Sequence, residues 1–127
     1  MRRAFLFLLA TLAGTASALD CQHPNSTREN IECASRAFAA SDAKLNETYG
    51  RVLALFSGPD EDRWYPASTK EHLIASERVW IKYRDENCTA ISWNYKSGSI
   101  RGEMELSCRK ELTDQRIKSL EQFSGPG

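Results

Sequence analysis

Histidine is scarce in this sequence, which has only His23 and His72 among its 127 residues. These two positions give no Ser/His/Asp or Cys/His arrangement of the kind that activates a nucleophile. The chain also shows no strand-like alternation of apolar and polar residues, no internal repeat and no long linker. These absences argue against a hydrolase with a histidine base, against a β-sheet and against several linked domains.

The chain also lacks an excess of charge of either sign. Its 17 lysines and arginines balance its 17 aspartates and glutamates, so the formal net charge is zero. Nucleic-acid-binding proteins usually carry a strongly basic face, and we therefore expect no nucleic-acid partner. Glu103 and Glu105 are the nearest approach to a pair of catalytic carboxylates, but closely spaced glutamates on a helix usually form a solvated face. We expect a protein that is not an enzyme and needs no cofactor.

An apolar run near the N-terminus is too short to span a bilayer, which takes about 20 residues. The run covers residues 4–13. Arg2 and Arg3 precede it, and the small-residue sequence Ala16-Ser17-Ala18 follows it. This order is typical of a secretory signal peptide. We predict a signal peptide over 1–18 and a single domain over 19–127, periplasmic or secreted and free of the membrane after cleavage. The residue before Cys21 is an aspartate, which does not fit a lipoprotein cleavage site.

Four cysteines follow the predicted signal peptide: Cys21, Cys33, Cys88 and Cys108. An even number in a short exported chain predicts two disulfides, with three alternative connectivities. Cys88 and Cys108 lie at nearly equal distances from a Gly/Ser turn, so an antiparallel helix pair would bring their sulfurs together. We predict Cys88–Cys108 and therefore Cys21–Cys33. A zinc site with His23 beside Cys21 is the competing interpretation, but this spacing matches no standard zinc pattern, and we expect no metal.

The first predicted element is a long helix. Apolar residues recur at three- and four-residue spacing over about 27–56. Ser26 and Glu29 form a capping box at its start, and a Ser-Gly-Pro sequence ends it. Gly50 lies inside the pattern, where glycine costs about 1 kcal/mol relative to alanine.

Two further helical segments follow. Ser68 and Glu71 form a second capping box, and the apolar pattern continues to Ile91. The third segment carries apolar residues over 104–123, and Thr113 within it is a candidate internal N-cap that would split it in two. We predict an all-α fold: a small disulfide-stapled bundle of three long helical segments in up-down-up order, the third split if Thr113 caps.

Each predicted helix carries one charged residue on its apolar face. These residues are Asp42, Arg84 and Arg116, and Asn46 lies one turn after Asp42. An unpaired buried charge would cost several kcal/mol, so the first interpretation is a structural polar network in which Asp42 pairs with one or both arginines. The alternative makes the two arginines part of a binding site for a carboxylate or phosphate.

Two segments without helical periodicity are candidates for contact with a protein partner. Trp64 and Tyr65 lie in a polar loop, where aromatic side chains can anchor an interface; alternatively, this loop folds back and caps the core. The second candidate is the turn that contains Ser97, Ser99 and Arg101, whose guanidinium would suit a carboxylate on the partner.

The most specific sequence element is Trp80-Ile81-x-Tyr83-Arg84-Asp85-x-x-Cys88. It is accompanied by Asn30-Ile31-Glu32-Cys33, Asp42-x-x-Leu45-Asn46-x-x-Tyr49, Gly98-Ser99-Ile100 and Leu112-Thr113-x-x-Arg116. Over about Cys21 to Leu120, the chain resembles the LprI-like lysozyme-inhibitor N-terminal domain family of small exported bacterial proteins. The resemblance implies a helical, disulfide-linked periplasmic or secreted domain, and inhibition of lysozyme for some members.

The leading hypothesis is an exported binding protein that inhibits a lysozyme by occluding its cleft. The Trp64-Tyr65 loop or the turn ending at Arg101 would make the contact. The alternative is a cell-envelope interaction or structural module that has no enzyme target. An enzyme that acts on peptidoglycan is a third hypothesis, but the sequence shows no convincing acid/base pair for it.

Overall fold

The computed structural model describes residues 19–56, 67–96 and 98–123. Over these ranges it contains three α-helices: α1 (Thr27–Leu55), α2 (Ala67–Ser92) and α3 (Arg101–Leu120). A short 3₁₀ turn, Trp93–Tyr95, follows α2. The predicted all-α fold with three long helical segments is therefore confirmed. No helix in the described ranges is both long and apolar enough to cross a membrane.

Helix α1 begins where the capping box predicts. The Oγ atom of Ser26 accepts a hydrogen bond of 3.2 Å from the backbone N–H of Glu29, and the Glu29 carboxylate accepts one of 2.6 Å from the N–H of Asn25. The first bond satisfies a backbone donor that the first helical turn leaves without a partner, and the second ties Asn25, which precedes the N-cap, to the same turn. At the other end, the N–H of Phe56 bonds back to the carbonyl of Leu53, and the Phe56 side chain is buried.

Two details of the predicted helices are wrong. Helix α2 begins at Ala67, so Ser68 lies inside its first turn and is not the N-cap. Helix α3 is continuous through Thr113, so the third segment is not split. The Thr113 hydroxyl donates a 2.7 Å hydrogen bond to the carbonyl of Arg109, four residues earlier. This bond is made within the helix, and the hydroxyl does not start a new one.

Helix α3 packs against both other helices. It runs parallel to α1, because Gly102 lies beside Ile31 at one end and the rings of Phe56 and Phe123 are 6.3 Å apart at the other. Helix α2 runs antiparallel to α3, because Cys88 bonds to Cys108 and the earlier residue Glu77 contacts the later residue Arg116. The predicted up-down-up order therefore agrees with these contacts.

The apolar core occupies one half of the bundle. Its buried members come from the end of α1, the start of α2 and the end of α3: Leu45, Val52, Phe56, Leu73, Ile117 and Leu120. Toward the α2–α3 connection the buried side chains are small, polar or disulfide-bonded: Ser41, Arg84, Cys88, Ser92 and Thr113. Covalent and polar contacts must therefore hold this second half where an apolar core is thin.

We expect Gly50→Ala to stabilise the protein by about 0.5–1 kcal/mol. Gly50 lies within α1, and a Cβ atom added there meets no atom within 4 Å. Alanine loses less backbone entropy on folding into a helix than glycine does. Urea unfolding followed by circular dichroism measures the change.

Gly98→Ala is the matched control for this substitution. A Cβ atom at Gly98 would lie only 3.0 Å from the carbonyl oxygen of Tyr95, so the same chemical change should bring no gain there. A fall in stability for Gly50→Ala would contradict the prediction.

Candidate functional site

The structure confirms both predicted disulfides. Cys21 bonds to Cys33 and Cys88 to Cys108, each with a Cα–Cα distance of 5.5 Å. The zinc interpretation is wrong, because the sulfur of Cys21 is already bonded to Cys33. Within the described part of the chain, no group of three or more histidine, cysteine, aspartate or glutamate side chains is arranged to hold a metal ion.

Arg84 joins all three helices through one buried guanidinium. Its side chain is 7% exposed, and its Nη1 atom donates to Asp42 on α1 at 2.8 Å and to Thr113 on α3 at 3.2 Å. Its Nε atom donates to the neighbouring Asp85 at 2.9 Å. Burial disfavours the charged guanidinium, but the hydrogen bonds to Asp85 and Asp42 outweigh burial and raise the pKa of Arg84. The side chain is therefore charged at neutral pH, as arginine is in proteins generally.

Two aromatic rings enclose the same guanidinium. The Cζ atom of Arg84 lies 5.0 Å from the centre of the Phe38 ring and 5.3 Å from that of Trp80. Such contacts favour a cation over each ring face. Because the Nε and Nη1 atoms of Arg84 donate to residues of this chain, we infer a structural role for Asp42 and Arg84. A site for an external carboxylate or phosphate fits this geometry less well.

Arg116 belongs to a different group. Its Nε atom donates to Glu77 on α2 at 2.9 Å, and the Glu77 side chain is 7% exposed. The sequence left open whether Asp42 pairs with one or both arginines. In the structure Asp42 contacts Arg84, and Arg116 contacts Glu77. Asn46 is exposed and joins neither group within the described residues.

Sequence reasoning missed Glu77, Asp85 and Thr113 as members of these groups. Glu77 lies seven residues before Arg84, which is two helical turns, so the two share a face of α2. Extending that face by two turns toward the N-terminus would have found Glu77. No comparable sequence pattern pointed to Asp85 or Thr113. Asp85 is simply the neighbour of Arg84, and the Thr113 hydroxyl accepts from Arg84 only because α3 packs against α2.

A further polar link joins α1 to α3. The buried Ser41 hydroxyl donates to Asp114 Oδ1 at 2.7 Å, and Lys110 donates to Asp114 Oδ2 at 2.6 Å. The hydrogen bond from Lys110 is the main reason that the pKa of Asp114 is lowered, with Ser41 contributing in the same direction against the effect of burial. This link belongs to the half of the bundle in which the apolar core is thin.

The partner-contact residues predicted from the sequence are only partly within the described residues. Trp64, Tyr65 and Ser97 lie outside them. Ser99 is exposed, and Arg101 is partly buried at the start of α3. The guanidinium carbon of Arg101 lies 4.0 Å from the centre of the Trp93 ring. Sequence reasoning missed Trp93, although its position directly before the Gly/Ser turn was an available signal.

The residues 93–96 and 98–101 form what we call the α2–α3 tip. Its apolar side chains are exposed: Trp93 at 58%, Ile100 at 42% and Tyr95 at 38%. The N–H of Gly98 bonds to the carbonyl of Tyr95 at 2.8 Å and closes a tight turn. Lys96 occupies the first central position of this turn with φ 40° and ψ −109°, a backbone conformation that favours glycine.

The two glutamates considered as catalytic candidates lie in the first half of α3. Glu105 accepts hydrogen bonds from Thr89 at 3.0 Å and from Arg109 at 2.7 Å, so its carboxylate links α2 to α3. Glu103 lies in the first turn of α3, where an acidic side chain interacts favourably with the helix dipole. Both positions have structural explanations.

Comparison with known proteins gives a match over nearly the whole described chain. A family model described as "Lysozyme inhibitor LprI" matches residues 20–120. An uncharacterized protein of Rhizobium meliloti (strain 1021) is 32% identical over 109 residues, which cover 82% of this chain and 78% of that relative. No solved structure matches the chain significantly. The family match includes the three helices, both disulfides and the α2–α3 tip.

Proposed function

The chain belongs to the LprI lysozyme inhibitor family, and we propose that it is an exported, non-enzymatic binding protein that inhibits a lysozyme by occluding its cleft. The observation that carries the proposal is the family match over 20–120, which spans the complete helical bundle. Two disulfides are typical of a protein that leaves the cytoplasm, and they support a periplasmic or secreted location.

The structure supports inhibition by contact better than inhibition by chemistry. The Arg84 and Arg116 groups are internal to the bundle, and Glu105 is engaged by Thr89 and Arg109. By contrast, the α2–α3 tip presents exposed aromatic side chains and two basic residues, and it follows the helix ends that the Cys88–Cys108 disulfide joins. The disulfide ties together the two helices that carry the tip, which reduces the conformational entropy that the tip loses when it binds a concave partner.

A cell-envelope interaction module is the second candidate function. The outward face of α2 favours it, since Val79 is 70% exposed and Tyr83 is 55% exposed one turn later. Exposed apolar side chains that share a helix face often belong to protein contacts. This candidate requires no lysozyme as the partner.

Turbidity of a cell-wall suspension tests the proposed function. We expect the mature protein at micromolar concentration to slow the clearing caused by an added lysozyme and to cause no clearing by itself. Hen-type, goose-type and invertebrate-type lysozymes should be tested separately, because inhibitors discriminate among partners by differences in affinity. The same protein after reduction and alkylation is the matched control, and it should inhibit less.

Each outcome of this assay separates the hypotheses. Clearing by the protein alone would show an enzyme that acts on peptidoglycan. No effect on any of the three lysozymes would reject the inhibitor proposal for these targets and leave the envelope module as the better explanation.

A further inference from the structure

We propose that the α2–α3 tip is the surface that enters the partner's cleft, with Trp93 and Arg101 as its anchor and Lys96 as a second cationic contact. This inference rests on the proposed function and adds the contact surface to it. The partner feature that fits is a concave sugar-binding cleft that contains carboxylates. Glycoside hydrolases use a pair of carboxyl groups on either side of the scissile bond, so a basic, aromatic tip complements such a cleft.

The first step is the pairing of Trp93 with Arg101. Trp93 is 58% exposed, and Arg101 lies over its ring at 4.0 Å. Stacking orients both side chains before a partner arrives, so less conformational entropy is lost on binding. Tryptophan and arginine are also the residues most often found as energetic anchors in protein interfaces.

The second step is the charge of the tip. Between residues 91 and 102 the sequence has two basic side chains, Lys96 and Arg101, and no acidic one. Four arginines of the described chain have carboxylate partners: Arg36, Arg84, Arg109 and Arg116. No ion pair of this kind involves the two tip cations over the described ranges. Two cations without a carboxylate partner inside the described chain favour an acidic surface on the binding partner.

The third step is the backbone at Lys96. With φ 40°, Lys96 holds a conformation that costs a residue with a Cβ atom more than it costs glycine. Backbone strain of this kind is concentrated at binding and catalytic sites, where the surrounding structure maintains it. Glycine at position 96 would make the folded protein more stable. A contribution of the lysine side chain to binding explains why lysine is present there.

The fourth step is the support of the tip. The Cys88–Cys108 disulfide, whose Cys88 side is buried, joins α2 and α3 below it. Two backbone hydrogen bonds, each of 3.1 Å, close the two sides of the turn above the disulfide. The N–H of Lys96 donates to the carbonyl of Trp93, and the N–H of Arg101 donates to the carbonyl of Gly98. The tip is therefore mounted on a covalently linked helix pair.

The test compares two double variants in the turbidity assay and in a direct binding titration with the lysozyme type that the parent protein inhibits. Trp93→Ala with Arg101→Ala should weaken inhibition at least about tenfold without loss of helical circular dichroism. Leu55→Ala with Arg36→Ala is the matched control, because it also removes one exposed apolar side chain and one surface arginine, and neither residue belongs to the tip or to the outward face of α2. The control should inhibit like the parent.

Lys96→Gly gives a second and independent readout. It should raise the melting temperature, because glycine relieves the backbone strain, and it should weaken inhibition, because the cation is lost. A role in stability alone would not move the two measurements in opposite directions. Added salt should weaken inhibition by the parent more than by Lys96→Gly.

The outcomes distinguish this inference from the proposed function. If the parent inhibits and the Trp93/Arg101 variant inhibits equally well, the tip is not the contact surface, although the inhibitor function stands. If the parent neither binds nor inhibits any of the three lysozymes, both proposals fail. If Lys96→Gly is more stable and inhibits as well as the parent, Lys96 is not a contact.

Discussion

Replacing Cys88 and Cys108 together by alanine is expected to lower the free energy of unfolding by about 3 kcal/mol. In the chain-entropy model, a disulfide that closes a loop of this size, here with a sequence separation of 20, restricts the unfolded chain by roughly that amount. We expect the full loss in the free energy of unfolding, because the half of the bundle around the disulfide has few buried apolar side chains. Urea unfolding followed by circular dichroism measures it.

The Cys21–Cys33 pair provides the control. Its sequence separation is 12, and Cys21 is exposed in the lead-in before α1. Removing this pair by alanine substitution should cost less, because it frees a segment with few other contacts. Equal stability of the parent and the Cys88/Cys108 variant would contradict the prediction and would mean that polar contacts alone hold this half of the bundle.

Arg84→Ala is expected to destabilise the protein by about 3 kcal/mol. The substitution removes the donors to Asp42, Asp85 and Thr113 and leaves a space between the rings of Phe38 and Trp80. Loss of one partner from a buried ion pair typically costs about 3–5 kcal/mol. The lower end applies here, because the two carboxylates are 39% and 40% exposed and water can hydrate them.

Arg84→Met tests this explanation. Methionine retains an apolar stem against the rings, but it leaves Asp42 and Asp85 without the cation, as alanine does. We therefore expect Arg84→Met to be less stable than the parent and more stable than Arg84→Ala, and the difference between the two variants measures the packing against the rings. Thermal or urea unfolding of both variants gives the comparison. If Arg84→Ala melts like the parent but no longer inhibits lysozyme, Arg84 is a binding residue and the structural interpretation is wrong.

The bounds of α1 and the disulfides could be predicted because the signals for them are local. The capping box at Ser26 and Glu29 and the Ser-Gly-Pro sequence mark the ends of one helix within a few residues. Cys88 and Cys108 required only a turn between two helices, since equal distances from a turn place two residues at the same height. The Gly/Ser turn supplied that information without any knowledge of packing.

The sequence did not predict which side chain each of the charged residues contacts. Periodicity assigned Asp42, Arg84 and Arg116 to the apolar faces of their helices, but it did not say how each helix is rotated or which carboxylate each arginine meets. Arg116 meets Glu77, because α2 and α3 are antiparallel and these two residues come to the same height. The Trp93–Arg101 stack likewise exists only because the turn brings the end of α2 over the start of α3.

The sequence by itself therefore determined three helices, their order and their covalent links, because backbone hydrogen bonding and cysteine spacing act over short distances along the chain. Only the tertiary structure decided that the apolar core fills one half of the bundle and that polar contacts and a disulfide hold the other. It also decided that Thr113 bonds within its helix and accepts from Arg84, and does not cap. A hydroxyl has several bonds of similar strength open to it, and the packed neighbours select among them.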